Sequence, residues 1–316
     1  MSTGHLSLRH DGPVLVATLD SPPDQYLDAA TVVALTDLVE GLRRNRAVRA
    51  LVLTGAGDNG WPLHYDIAEI AQGSEDVAVT LSPRTARAAY AAVRGLARIP
   101  GAGAGIDRSP ARGILQVSRM HATLGGLGRL DQVVIAAIGG SALAGAFELA
   151  LSCDLRIAAE GDFRYGLPET TLGFLPGGGG TQRLARLVGP AKAIELMLEA
   201  RPVDQGEALR LGLLTRTAPS EALLAEALDT AHRIASLAPG VVAGVKRAVY
   251  DGASRSLTRG MEVEAAQFMS AASTEQSRGL LHAFVAETDE AGTPWTDPAK
   301  LSRWQPGGSS HAPPSP

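Results

Sequence analysis

The sequence predicts an α/β fold, and three observations carry it. Short apolar runs at residues 14–19, 50–54, 133–138 and 155–159 have the length and composition of strands. Helical patterns fall between them, so the strands alternate with helices, which implies right-handed crossovers. The chain has 316 residues, 45% of them hydrophobic and 20% charged, enough for one large α/β domain or two smaller ones and incompatible with global disorder.

The strand at 14–19 is broken by Ser21-Pro22-Pro23. An amphipathic helix follows at 30–44, with Val33, Leu35, Leu38 and Leu42 among its apolar positions. The strand at 50–54 is apolar almost throughout, as a parallel strand covered on both faces is. Within a long segment at 72–130, residues 83–98 and 114–124 are helical in composition. Between them, 100–113 holds four glycines and two prolines and is expected to be a loop. The uncharged run from Gln132 to Phe147 covers about 16 residues, short of the roughly 20 that span a membrane. It reads as a buried strand, a small-residue turn and the start of a helix.

From residue 191 onward the pattern is helical. Asp204-x-x-Glu207 forms a capping box ahead of Ala208-Leu209, and helices are expected at 220–237, 241–250 and 257–271. Ser273-x-x-Gln276 is the expected cap of a last helix reaching about Glu287. The stretch from about Gln305 is rich in Gly, Ser and Pro and is expected to be a flexible tail. The predicted organisation is a core at 1–200, extended at 72–130, then a helical region at 201–290 and a tail at 291–316.

Composition excludes several roles. The net charge is −4, which disfavours nucleic acid as a partner. Cys153 is the only cysteine, and there is no CxxC or HExxH, so no metal site is expected. The first residues, MSTGHLSLRHDG, lack the apolar stretch of a signal peptide, and a cytoplasmic protein with no membrane association is expected. Gly55-x-Gly57-x-x-Gly60 follows a strand as a dinucleotide fingerprint does, but Asp58-Asn59-Gly60-Trp61-Pro62 is turn chemistry where that motif needs a helix. Gly139-Gly140-Ser141-Ala142-Leu143 lacks the last glycine of a hydrolase elbow.

Two stretches carry chemistry. Between Val134 and Asp154 a strand runs into a small-residue turn at 139–145 and then a helix. Small residues let a ligand approach the backbone, and amides at a helix start stabilise an anion. Glu148 lies three residues beyond Gly145, on the same side of that helix, inside an otherwise apolar run where a carboxylate is costly. In the second stretch, 165–189, Glu169 follows Pro168, and a four-glycine turn at 177–180 leads into a helix at 181–187.

Together these stretches resemble the crotonase superfamily, the enoyl-CoA hydratase/isomerase group. The resemblance rests on Ala136-Ala137-Ile138-Gly139-Gly140, Ala142-Leu143-Ala144-Gly145-Ala146-Phe147-Glu148-Leu149-Ala150 and Cys153-Asp154. It continues in Tyr165-Gly166-Leu167-Pro168-Glu169, Gly173 and Pro176-Gly177-Gly178-Gly179-Gly180-Thr181-Gln182-Arg183-Leu184. It covers about residues 6–290. It implies a crotonase-like spiral of repeated ββα units with a C-terminal helical trimerisation region, assembled as a homotrimer or homohexamer. It also implies an acyl-CoA thioester ligand, with coenzyme A as part of the substrate and no separate cofactor.

By the resemblance, Gly145 supplies one oxyanion-hole N–H, and Glu148 and Glu169 match the paired catalytic glutamates of the hydratases. Tyr65 takes the place of the other N–H donor. Leu63, His64, Asp66, Ile67, Leu143, Pro168 and Gly177 are expected at the substrate. The expected reaction is hydration of a 2-enoyl-CoA. Isomerisation, C–C hydrolysis, thioester hydrolysis and non-catalytic acyl-CoA binding stay open as alternatives.

The chain departs from the family in three places. Trp61-Pro62-Leu63-His64-Tyr65-Asp66-Ile67-Ala68-Glu69 replaces the family's small residues around the first donor with Leu, His and Tyr, whose side chains either pack away or enter the acyl pocket. The segment between Asp66 and Val134 is about 30 residues longer than is usual in the family. The family's basic run after Phe284-Val285 is absent, so no residue is assigned to the coenzyme phosphates.

Overall fold

A computed structural model describes residues 5–22, 24–57, 59–75, 79–288 and 292–311. Pro23, Asp58, the first four residues and 312–316 of the expected tail lie outside them. In chain order the elements begin with β1 (Leu6–Asp11), β2 (Val14–Leu19), α1 (Ala29–Arg44), β3 (Ala50–Gly55) and α2 (Ile67–Glu75). The long segment follows with α3 (Pro83–Leu96), α4 (Ala102–Asp107) and α5 (Arg112–Gly128). The centre holds β4 (Val133–Ile138), β5 (Ala142–Leu143), α6 (Ala144–Leu151), β6 (Leu155–Ala159), β7 (Arg164–Gly166) and α7 (Gly180–Val188). Next come α8 (Pro190–Leu198), β8 (Val203–Asp204), α9 (Gln205–Arg210) and β9 (Arg216–Ala218). The C-terminal helices are α10 (Leu223–Ala235), α11 (Pro239–Arg247), α12 (Leu257–Ala272), α13 (Glu275–Ala286) and α14 (Pro298–Trp304).

Six strands form one sheet in the order β1-β2-β3-β4-β6-β9, and three form a second, β5-β7-β8. In the large sheet only the β1–β2 pair is antiparallel. The units β4–β5–α6 and β6–β7–α7 each place one strand in the large sheet, the next in the small sheet and a helix after it. That repetition is the ββα spiral that the resemblance implies.

Strand alternation divides the core in two. Leu15, Ala17, Leu19, Leu51, Leu53, Val134 and Ala136 point to the face covered by α1, α5 and α6. Val14, Val16, Ala50, Val52, Val133, Ile135 and Ala137 point to the other face, which Leu223, Ala227, Ala231 and Ala235 of α10 cover. Helix α6 is buried at all eight positions, as a helix apolar all round has to be.

The structure corrects several expectations. Residues 102–107 are helical, not loop: α4 starts after Gly101 at a φ of 81° and is tied to α5 by Arg119, whose guanidinium grips Asp107 with two bonds of 2.8 Å. The turn after β4 is shorter than 139–145, because β5 and α6 have begun by then and Gly145 sits in the first turn of α6. The cap of α13 is Thr274, not Ser273: its hydroxyl accepts the Ser277 N–H at 3.2 Å. Asp204 caps α9 at the Glu207 N–H, but the Glu207 carboxylate turns to Arg201 and does not close the box. The chain beyond 305 is tied down where a flexible tail is expected, with the Gly307 N–H donating to Ser236 Oγ at 2.8 Å.

Candidate active site

Helix α6 carries the first acid. The Glu148 carboxylate is buried, and a bare charge there would be costly. Three amide bonds offset the cost: the Gly178 N–H donates to both carboxyl oxygens at 2.7 Å, and the Gly180 N–H to Oε1 at 2.6 Å. Those amides come from the four-glycine turn ahead of α7, and only glycine fits there. A Cβ at Gly178 would lie 2.7 Å from Glu148 Oε2, and one at Gly180 2.8 Å from Oε1. Arg183, on the first turns of α7, donates to the Gly178 carbonyl at 3.0 Å and so braces the turn. Burial pushes the Glu148 carboxyl above its ordinary value, while the two amides and Arg183 pull the other way.

Glu169 opens a 3-10 turn, Glu169–Leu172, that follows β7 through Pro168. Its carboxyl is buried, and its Oε2 has no hydrogen-bond partner among the described residues. Burial, with the nearby Glu148 adding to it, pushes the carboxyl up to about 7 against its own backbone N–H, so near neutral pH it is balanced between acid and anion. Both glutamates face one cavity of about 520 Å³.

Gly145 and Tyr65 meet on the wall of the same cavity. A Cβ at Gly145 would lie 2.9 Å from the Tyr65 Cβ, so the Tyr65 side chain packs against the Gly145 backbone and only glycine leaves room for it. Neither N–H has a protein acceptor among the described residues. The Gly145 amide is free because it stands in the first turn of α6, where no carbonyl lies behind it. Ala144, just before it, is held at a φ of 48°, a left-handed conformation costly for a residue with a Cβ. The Tyr65 amide is free because its segment bonds the chain at Leu27 from both sides: the Leu27 N–H donates to the His64 carbonyl and the Asp66 N–H to the Leu27 carbonyl, each at 2.8 Å.

The side chains that replace the family's small residues are fixed. The Tyr65 hydroxyl donates to Glu69 Oε2 at 2.9 Å, and the same oxygen accepts the Ala29 N–H at 3.0 Å. Burial and the neighbouring Glu69 raise the Tyr65 phenol, which keeps its proton. The His64 ring stacks on Tyr26 with centroids 4.1 Å apart, and its Nδ1 lies 2.7 Å from the Tyr65 carbonyl.

Of the residues expected at the site, the cavity brings together His64, Tyr65, Ile67, Leu143, Gly145, Glu148, Pro168, Glu169 and Gly177. Leu63 and Asp66 do not line it. Leu63 is held by its backbone, donating to the Gln25 carbonyl at 3.3 Å and accepting from the Leu143 N–H at 2.8 Å. The Asp66 carboxylate accepts the Ala68 N–H at 2.8 Å at the start of α2. The sequence reading misses the role of Gly178 and Gly180 as the cradle of Glu148. It also misses the wall built by Ile70 of α2 and by Gln116, Val117 and Met120 of α5. The repeat of Gln116 and Met120 at four residues, one face of a helix, is the only sequence signal for that wall.

Residues 114–297 match the family model described as enoyl-CoA hydratase/isomerase. A short-chain-enoyl-CoA hydratase of Clostridium acetobutylicum is 30% identical over 286 residues, covering 90% of this chain and 96% of that protein. A crotonyl-CoA hydratase of Syntrophomonas wolfei is 32% identical over 259 residues, covering 82% and 86%. The crystal structure of an enoyl-CoA hydratase from Bacillus anthracis superposes with a TM-score of 0.72 at 30% identity, covering 89% of this chain and 96% of that one.

Proposed function

The chain belongs to the enoyl-CoA hydratase/isomerase family, the crotonase superfamily, and on that premise we propose that it adds water across the conjugated double bond of a 2-enoyl-CoA thioester. The observation that carries this reading is two buried carboxyl groups facing one cavity, on whose lining Tyr65 and Gly145 have backbone N–H groups without a protein acceptor among the described residues. The thioester oxygen accepts from the Tyr65 and Gly145 amides. As water attacks the β-carbon, electron density moves onto that oxygen. One fixed donor to such an oxyanion is worth roughly 2.7–4 kcal/mol elsewhere.

The two glutamates divide the proton work by their surroundings. Glu148 has three amide N–H bonds that favour its anion, so it takes the proton from water as hydroxide adds to the β-carbon. Glu169, poised at about 7 with a free Oε2, enters as the acid and delivers its proton to the α-carbon. Afterwards Glu148 holds the proton and Glu169 has lost one, and transfer through solvent resets the pair.

The cavity also speaks to substrate. Among the described lining residues there are three carboxyl groups, Glu69, Glu148 and Glu169, and no lysine or arginine. A neutral acyl chain fits that wall, whereas a chain ending in a carboxylate meets like charge without a counter-ion. In the assembly we read a homotrimer or a dimer of trimers. Supporting it, α12 and α13 bury no residue in the single chain and expose Leu257, Phe268, Met269 and Val285. A cytoplasmic setting fits the single buried thiol of Cys153, and among the described residues no helix is long and apolar enough to cross a membrane.

The test is turnover of a panel of 2-enoyl-CoA and 3-enoyl-CoA thioesters with product identification. The reading expects 3-hydroxyacyl-CoA from the conjugated substrates. Conversion of 3-enoyl-CoA alone favours isomerisation, and binding without turnover of any thioester favours a non-catalytic role.

A further inference from the structure

The long segment before β4 carries a charge unlike the rest of the chain. Residues 83–129 hold eight arginines and one acidic residue, Asp107, for a net charge of +7 in a protein whose total is −4. Arg84, Arg87 and Arg94 of α3 fall within an 80° arc at 100° per residue, and Arg98 and Arg108 follow at the ends of α3 and α4. All five are exposed. None pairs with an acidic group among the described residues, whereas Arg119, farther along, is taken up by Asp107. Two contacts outside that arc hold α3 down: Val93 is buried, and the Tyr90 hydroxyl meets His121 Nδ1 of α5 at 2.9 Å. His121 stands one helical turn from Val117, which lines the cavity, so the basic helix rides on the outer side of a cavity wall.

We propose that this face of α3 and α4 docks an acidic carrier protein that presents the acyl group as a phosphopantetheine thioester. The inference rests on the thioester reading above. Three features favour a protein surface over the phosphates of free coenzyme A. From Arg84 to Arg94 the stripe is about 15 Å long, more than one nucleotide's phosphates span. Its guanidinium groups are exposed and unbraced, without the backbone amides that build a phosphate site. Uncompensated surface charge of one sign instead steers an oppositely charged protein and speeds its encounter by about 10- to 1,000-fold at low salt. Nucleic acid is disfavoured, since the residues outside the segment sum to −11.

The test uses the full chain and a charge-reversed variant, Arg84→Glu/Arg87→Glu/Arg94→Glu, whose folding is checked by circular dichroism and whose mass is checked in solution. Each is assayed with one 2-enoyl group on an acidic acyl carrier protein, on coenzyme A and on pantetheine. We expect kcat/KM for the carrier-linked substrate to fall tenfold or more in the variant and the wild-type value to fall with added salt. The coenzyme A and pantetheine values should be unchanged. An equal loss with coenzyme A but not pantetheine would overturn the proposal in favour of a phosphate site. No change with any substrate, or a change of oligomer alone, would also overturn it. Binding of unacylated carrier protein, followed by fluorescence anisotropy, reads the surface even if the wild type hydrates no thioester, so failure of the docking and failure of the hydration reading are told apart.

Discussion

The cavity has a floor and a wall, and they are built on different terms. On the floor, Glu148 has both carboxyl oxygens engaged by amides of a turn 30 residues away, and Gly178 and Gly180 there leave no space for a Cβ. Behind the wall that α2 and α5 form, α3 rests on α5 with one buried residue, Val93, and α4 buries none. The His64-Tyr65 stretch, between the two, keeps its backbone amide where the chemistry needs it while its side chains have changed. A backbone donor survives such a change and a cradled carboxylate does not. The contrast implies that floor substitutions cost turnover, whereas wall substitutions change which substrate is turned over.

The largest effects should come from the floor. Replacing either acid, Glu148→Gln or Glu169→Gln, should lower kcat about 100- to 10,000-fold with little change in KM, measured on the preferred 2-enoyl-CoA. Gly178→Ala should lower kcat about a hundredfold without touching either acid, because its Cβ would meet Glu148 Oε2 at 2.7 Å and Leu124 Cδ1 at 3.1 Å. A Gly178→Ala protein as active as wild type would break the comparison.

Protonation sharpens it next. With Glu169 as the acid and its carboxyl at about 7, kcat/KM should fall as pH rises through 7. The same shift bears on stability. The folded value lies above the ordinary 4.5, so the stabilisation is fully present below about 4.5 and is lost as pH rises through 7. Denaturant unfolding of Glu169→Gln across that window should show the slope flattened.

The His64-Tyr65 stretch between floor and wall should give smaller effects. Tyr65→Phe removes the bond to Glu69 but leaves the amide, and a loss of about fivefold in kcat is expected, in line with one hydrogen bond. His64→Ala should leave kcat on short chains nearly unchanged and shift preference toward longer acyl chains by up to about tenfold, read from kcat/KM across the panel.

What the sequence made legible follows the same division. The path from β4 to Glu148, and Pro168-Glu169 after it, can be read because strand, turn, helix and acid are contiguous there. The cradle from Gly178 and Gly180 cannot, because its amides reach Glu148 across 30 residues and only the folded chain brings them together. Residues 102–107 mislead because Ala-Gly-Ala-Gly carries no apolar period, and the helix is held by Asp107 gripping Arg119. Strands β5, β7, β8 and β9, of two or three residues each, are too short for an alternation to show. Leu63 and Asp66 lie off the cavity lining because proximity in sequence to Tyr65 does not decide which way a residue faces, and their bonds support the local backbone.

The most direct test of the central claim is hydration by the double variant Glu148→Gln/Glu169→Gln, followed as loss of the conjugated enoyl-thioester absorbance with an acyl-CoA binding measurement alongside. The two-glutamate account predicts that the folded variant still binds acyl-CoA, since the Tyr65 and Gly145 amides are untouched, and that its hydration falls to background. Turnover within tenfold of wild type in that variant would contradict it.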